Sequence, residues 1–386
     1  MILVEYVKIK TRIILYAVAF FFQGIADAVL FTLMIPLIKN LGGTDFETLL
    51  AHTMYGLGMI TSFIWGSLSD IIGRRLFLRV GSLAFAPLLL IGIVFSEVIQ
   101  IKILVTFYLL IFLYSMLCAM MYSSLIAEAS LEANPSRAFG SVNLGGDLGW
   151  GLGGVIAGAL VEKMARGVLW VFILGSVSYA IFAIIANIIK ESKEEIRRKY
   201  RYKFRYSALM LLISVFLLSF GREWVYGLFS IKTYLDILGG STLYYGIFVT
   251  MLPGIISALA VPLYVRLAER FGGLATYGLS IAIYSIIIPV MALSKGYMAL
   301  VIWVLPIWPM YDIGSKKSSE ELVPKTARGK IIGAMTAMVE IAMIIAAVGG
   351  YFSDVLGREL SIFLGGLLVT TALVPYGLIF YFKRRE

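Results

Sequence analysis

The chain has 386 residues, of which 60% are hydrophobic and 15% charged, with a formal net charge of +10. Soluble domains hold about 45–50% apolar and about 25% charged residues, and a globule of this size could not hide so much apolar surface from water. That excludes a soluble enzyme, a secreted module and a disordered chain, and leaves an all-α polytopic membrane protein.

A spanning helix needs about 20 predominantly apolar residues. Twelve such runs follow in chain order: 13–38, 46–69, 76–96, 102–127, 138–160, 168–189, 207–232, 243–265, 274–294, 297–318, 329–350 and 360–381. They are called spans 1 to 12 below. The first carries no small-residue cleavage site and reads as a retained helix rather than a signal peptide. None alternates as the strands of a membrane barrel do. Placing the N-terminus in the cytoplasm puts 25 of the 33 Lys and Arg in inner segments and 7 in outer ones, with Arg222 inside span 7. That bias predicts that both termini are cytoplasmic.

The segment Lys190–Arg205 interleaves basic and aromatic residues. Between two spans it reads as a linker on an anionic inner leaflet, not as a nucleic-acid patch. The expected organisation is a six-helix bundle over 1–189, a cytoplasmic linker over 190–206 and a second six-helix bundle over 207–386. One cysteine, Cys118, leaves no internal disulfide or thiolate cluster, and one histidine, His52, leaves no His-rich metal site. His52 sits near the outer end of span 2 and reads as an interfacial polar residue.

The halves resemble each other. Gly24 and Leu41-Gly42-Gly43 recur 197 residues later as Gly221 and Leu238-Gly239-Gly240. Gly66-x-Leu68-x-Asp70-x-x-Gly73 after span 2 has a counterpart in Val265-x-Leu267-x-Glu269-x-x-Gly272 after span 8, and Arg137 and Gly140 open span 5 as Arg328 and Gly333 open span 11. Such pseudo-symmetric halves belong to secondary transporters, with the site near the midplane between them.

Gly66-x-Leu68-x-Asp70-x-x-Gly73-Arg74-Arg75 resembles the loop signature of the major facilitator superfamily, in the loop where that family carries it. The resemblance implies that Gly66, Asp70, Gly73 and Arg74 form a conformational switch. It also implies that spans 1, 4, 7 and 10 line a central cavity while 2, 5, 8 and 11 form the interface between halves. Gly145-x-x-x-Gly149-Trp150-Gly151-Leu152-Gly153-Gly154 in span 5 is similar to a pattern of proton-exchanging exporters, with Trp150 where that pattern has proline. Glycines at this spacing also simply let membrane helices pack closely. The basic residue that many proton-coupled members carry in span 4 is missing.

Charges inside the membrane each ask for a reason, because one at a helix centre costs about 2.5–3.5 kcal/mol on insertion scales. Asp27, Asp147, Arg222, Glu223, Asp312 and Glu340 stand out, five acids against one base. Arg222 is expected to contact substrate or reset a carboxylate, the plainer alternative being a structural ion pair with Asp27 or Asp312, and Lys316, four residues on, is available to Asp312. Gln23 shares a face with Asp27, Tyr226 with Glu223, and Trp308 with Asp312, with Tyr311 adjacent. These eight, Gln23, Asp27, Arg222, Glu223, Tyr226, Trp308, Tyr311 and Asp312, are the candidate coupling and substrate residues. Asp147 and Glu340 are the candidate interface residues, in equivalent places when Gly140 is set against Gly333. A weaker alternative pairs Asp147 and Asp312 as an intramembrane aspartyl protease.

The expectation is a secondary transporter in the cell membrane, not an enzyme, working as a monomer by alternating access. It needs no cofactor or metal and binds no nucleic acid. Acids that titrate as a cavity opens and closes suit proton coupling, with sodium the rival ion. Its partners are the bilayer and a small-molecule substrate. The span 5 pattern and an aromatic, Met-containing cavity favour export of an amphipathic or hydrophobic compound. Arg222 motivates the alternative, uptake of an organic anion by symport.

Overall fold

The computed structural model describes residues 2–96, 103–130, 132, 135–189, 205–324 and 327–385, apart from the side chains of 2–10 and a few others, Asp70 among them. Residues 190–204 of the expected linker lie outside the described residues.

Lipid offers no partner for a backbone N–H or C=O, so a chain this apolar satisfies them within helices, and no strand occurs among the described residues. Among the described residues, eleven helices are long and apolar enough to cross a membrane. Span 2 departs from its expected single run. It is divided at Ile60–Thr61 into Asp45–Met59 and Ser62–Ile72, and neither piece alone reaches a crossing length. The Thr61 hydroxyl donates to the Gly58 carbonyl at 2.6 Å and accepts from the Trp65 indole at 2.7 Å, which holds the break. Span 10 is interrupted as well, as Tyr297–Trp303 and Ile307–Leu322. Pro306 sits in the gap and has no N–H to give a continuous helix. Apolar side chains such as Leu259, Ile286, Leu293 and Val374 face outward, 67–75% exposed. That surface fits lipid rather than water.

Span 5 (Pro135–Lys163) packs on span 1 (Ile2–Asn40) and, across the halves, on span 8 (Thr242–Phe271); span 2 packs on span 11 (Arg328–Leu356). The expected interface pairs are therefore the observed ones. The glycines of span 5 serve close packing. A Cβ at Gly149 would come within 1.9 Å of the Phe21 carbonyl on span 1, and one at Gly154 within 1.8 Å of Thr250 on span 8.

The repeat is visible in the backbone. Gly73 (φ +102°) and Gly272 (φ +89°), 199 residues apart, turn corresponding loops through a conformation that side chains other than glycine rarely adopt. Gly24 and Gly221 differ in what they pack on: Gly24 abuts Gly146 of span 5, while Gly221 abuts Gly365 of span 12.

At the end of the molecule remote from the termini the halves are bolted together by polar contacts. Asp354 of span 11 accepts the backbone N–H groups of Asp45 and Phe46, both at 3.1 Å, and so caps span 2 from the other half. Glu162 of span 5 accepts the Leu243 N–H at 3.0 Å and the Ser241 hydroxyl at 2.8 Å, capping span 8 in the same way. Asp45 also receives both Nε and Nη2 of Arg358 at 3.0 and 3.2 Å, Lys39 at 2.7 Å and Ser353 at 2.7 Å.

Candidate functional site

A cavity of about 480 Å³ opens between the halves, within the usual range for small-molecule sites. All ten of the singled-out coupling and interface residues line it: Gln23, Asp27, Asp147, Arg222, Glu223, Tyr226, Trp308, Tyr311, Asp312 and Glu340. The wall is not restricted to spans 1, 4, 7 and 10. Tyr122 is the contribution of span 4 among the described residues, whereas the interface spans bring in Tyr55, Asn143, Trp150 and Met343.

On the first-half wall, Asp27 is held by neutral donors. The Tyr114 hydroxyl donates to Oδ1 at 2.6 Å and the Gln23 amide to Oδ2 at 3.3 Å. The Gln23 amide also reaches the sulfur of the buried Cys118 at 3.7 Å. No ion pair to Asp27 occurs among the described residues. The alternative of a structural ion pair between Arg222 and Asp27 or Asp312 is not what the structure holds: Arg222 pairs with Glu223, and Asp312 with Lys316.

On the second-half wall, Arg222 forms its ion pair with its chain neighbour Glu223. Its guanidinium lies 4.2 Å from the centre of the Trp308 ring and 5.2 Å from that of Tyr311, so two aromatic faces share in compensating its charge. The local reason is the break at Pro306, which lets Ile307–Leu322 start beside span 7 with Trp308 and Tyr311 in its first turns. Tyr311 is fixed in turn against the Ser219 hydroxyl at 3.1 Å, and Tyr226 packs on Trp303 at 5.3 Å.

Asp312 does use Lys316, at 2.8 Å, and also accepts from the Asn143 amide at 2.8 Å. That last bond crosses between the halves. Asp147 lines the same cavity, but the polar partners of the Asp312 carboxylate are Lys316 and Asn143 rather than a second acid. His52 is not interfacial: it is buried, with Nδ1 3.3 Å from the Thr48 carbonyl and its ring edge-on to Phe31.

Asp147 and Glu340 keep the equivalence assigned to them. The Asp147 carbonyl lies under Gly254 of span 8, and the Glu340 carbonyl under Gly56 of span 2. Each also has a buried oxygen, Oδ2 and Oε2 respectively, with no hydrogen-bond partner. Among the described residues no three His, Cys, Asp or Glu side chains gather to hold a metal ion.

The loop expected to act as a switch lies apart from the cavity. Gly66 faces Ser123 of span 4, and Gly73 makes the turn. The Asp70 side chain lies outside the described residues. Arg74 is buried and paired with Glu128, which Arg12 approaches at 3.3 Å while also reaching Glu132 at 2.8 Å. This network ties spans 1, 3 and 4 together at the end near the termini. Glu128 and Glu132 were missed because they fall just beyond the apolar run 102–127. Asn143 was missed because it carries no charge. The caps by Asp354 and Glu162 were missed because each lies on the opposite half from its helix.

Several solved structures share the fold. The human organic anion transporter MFSD10 (TETRAN) is 14% identical, with a TM-score of 0.71 over 95% of this chain and 98% of that one. A bacterial homologue of the iron transporter ferroportin, in an outward-facing state with soaked iron, is 14% identical, with a TM-score of 0.69 over 96% and 98%. A variant of the Escherichia coli fucose:proton symporter FucP is 12% identical, with a TM-score of 0.65 over 96% and 98%. At these identities the likeness is one of fold. No curated protein sequence matches the chain. The model of the Major Facilitator Superfamily matches residues 16–205 and 211–386, through both halves that meet on the cavity. The chain belongs to the major facilitator superfamily and is a secondary transporter.

Proposed function

We propose that the chain is a proton-coupled secondary transporter of the cell membrane that exports an amphipathic compound by alternating access. It acts as a monomer of two six-helix bundles joined by the linker 190–206. With the termini inside, as the basic residues suggest, the bolted end faces outward and the cavity serves the cytoplasmic side.

The observation that carries this reading is Asp27. It is an intramembrane acid on the cavity wall, bonded to Tyr114 and Gln23 rather than to a cation. Neutral donors of this kind tolerate loss of the charge better than an ion pair does, because no buried cation is left uncompensated. Asp27 can therefore gain and lose a proton during a cycle. Glu223 and Asp312 already neutralise Arg222 and Lys316 and serve to hold the cavity's shape. Substrate packs on Phe31, Trp150, Tyr226 and Trp303.

The test uses the full chain in proteoliposomes under an imposed pH gradient, with luminal pH followed by a trapped dye while an amphipathic compound is added. Asp27→Asn should reduce coupled proton movement about tenfold or more, the scale of losing a positioned proton carrier, and should keep binding. Unchanged coupled movement would remove Asp27 from the mechanism. A second reading, proton- or sodium-coupled uptake of an organic anion, rests on Arg222 Nη1, a buried donor with no hydrogen-bond partner. It predicts inward movement of a carboxylate down the same gradient.

A further inference from the structure

We propose that the cavity takes a protonated organic amine, held between Asp147 on the first half and Glu340 on the second. This names the substrate class of the transport reading above and rests on it.

The cavity wall carries five acids, and two of them have cationic partners: Glu223 has Arg222 and Asp312 has Lys316. Asp27 has its two neutral donors. Asp147 and Glu340 have neither arrangement, since Asp147 Oδ2 and Glu340 Oε2 are buried without a hydrogen-bond partner. Glu340 is only 7% exposed. Buried carboxylate oxygens without donors are costly, so a ligand bringing donors and positive charge recovers the most at these two points. Gln23 Oε1 is a third unpartnered acceptor on the same wall.

One donor stands on the other side of the comparison, Arg222 Nη1. Its guanidinium is compensated by Glu223 and by the faces of Trp308 and Tyr311. Three acceptors lacking donors against one covered donor lacking an acceptor favour a cation with N–H groups over an anion. The same wall supplies aromatic rings in contacting pairs, Phe31 with Trp150 and Tyr226 with Trp303. Ring faces attract ammonium groups and pack on apolar bodies.

The placement gives such a ligand a role in the cycle. Asp147 and Glu340 are repeat-related residues on spans 5 and 11, each packed across the interface on a glycine of the other half, Gly254 and Gly56. A cation between them touches both halves at once, so its binding energy acts on the relative position of the halves, as coupling requires.

The experiment measures binding to the purified full chain in detergent by quenching of tryptophan fluorescence, since Trp150, Trp303 and Trp308 line the cavity. The probes are phenylbutylammonium and its size-matched acid, phenylbutanoate, at about pH 7.5, where both are charged. The ammonium should bind about tenfold or more tightly than the acid, and Glu340→Gln and Asp147→Asn should each weaken it about tenfold, the size of a lost charge-assisted contact. Glu340→Asp should restore part of the loss, and thermal unfolding shows that each variant is folded. Equal or tighter binding of phenylbutanoate to the unaltered protein would overturn the proposal without any variant. So would ammonium affinity within twofold of the original in a folded Glu340→Gln protein. If the ammonium binds but no pH gradient moves it, the amine site stands and the transport reading fails. If a gradient drives export of an uncharged amphipathic compound and the ammonium does not bind, the transport reading stands and the amine site fails.

Discussion

Two junctions close the end remote from the termini, and they are two-fold counterparts that differ in strength. At one, Asp354 caps span 2; at the other, Glu162 caps span 8. Each carboxylate accepts helix N–H groups, which an anion at a helix N-terminus satisfies well. Only the first is surrounded by charge, where Arg358, Lys39 and Ser353 converge on Asp45 and a further arm of Arg358 reaches Asp236 at 2.6 Å. Both capping carboxylates, Asp354 and Glu162, are exposed, so the first junction differs by the cluster around the buried Asp45. The comparison teaches that a shared cap geometry positions both junctions, while the cluster at Asp45 sets how firmly the end is shut.

The largest effect should follow from breaking that cluster. Asp45→Asn leaves Arg358 and Lys39 facing each other without their shared counter-ion, and breaking a buried pair from one side costs about 3 kcal/mol. Thermal unfolding of the full chain in detergent should shift down by several degrees, and an unmoved midpoint would show that the cluster holds nothing. Acid should imitate the substitution. Asp45 precedes the apolar run 46–69 and sits at its mouth. Burial opposes its ionisation, but hydrogen bonds from Arg358, Lys39 and Ser353 outweigh burial and hold the carboxyl down at about 2. Its stabilisation is therefore complete above the ordinary carboxylate range and is lost as pH falls through that value. The gap in stability between the unaltered protein and Asp45→Asn should narrow over that window, and a constant gap would count against it. Asp354→Asn removes charge from one cap and should cost about 1 kcal/mol. Glu162→Gln should cost least, within about 0.5 kcal/mol. If Glu162→Gln proved the more damaging of the two, the ranking of the junctions would be reversed.

What the sequence made legible follows from which forces act locally. Apolar run length and the position of basic residues are properties of consecutive residues, so the spans could be read directly. The break in span 2 could not, because Thr61 bonding to Gly58 and Trp65 is a choice made by one side chain among many that could extend a helix. The cavity residues were legible for a different reason: a charge in an apolar run announces itself, and all six singled-out charges reach one cavity. Their partners were less so. Arg222 joined Glu223 and the ring of Trp308 rather than an acid on another span, since pairing within one turn needs no alignment between helices. Asn143, which holds Asp312, is uncharged and looks like any other residue of its span.

The bare glycine face that span 5 turns toward span 8 has an entropic consequence. Where Gly154 meets Thr250 and Gly158 meets the Thr242 backbone, span 5 has no rotamers to rearrange. One helix moving over another normally has to re-sort interlocked side chains and to re-order them in the new position. Here span 5 presents mainly backbone, so the disorder surrendered on each side of such a movement is nearly the same. At this junction a shift of span 5 over span 8 would therefore be opposed by little side-chain ordering.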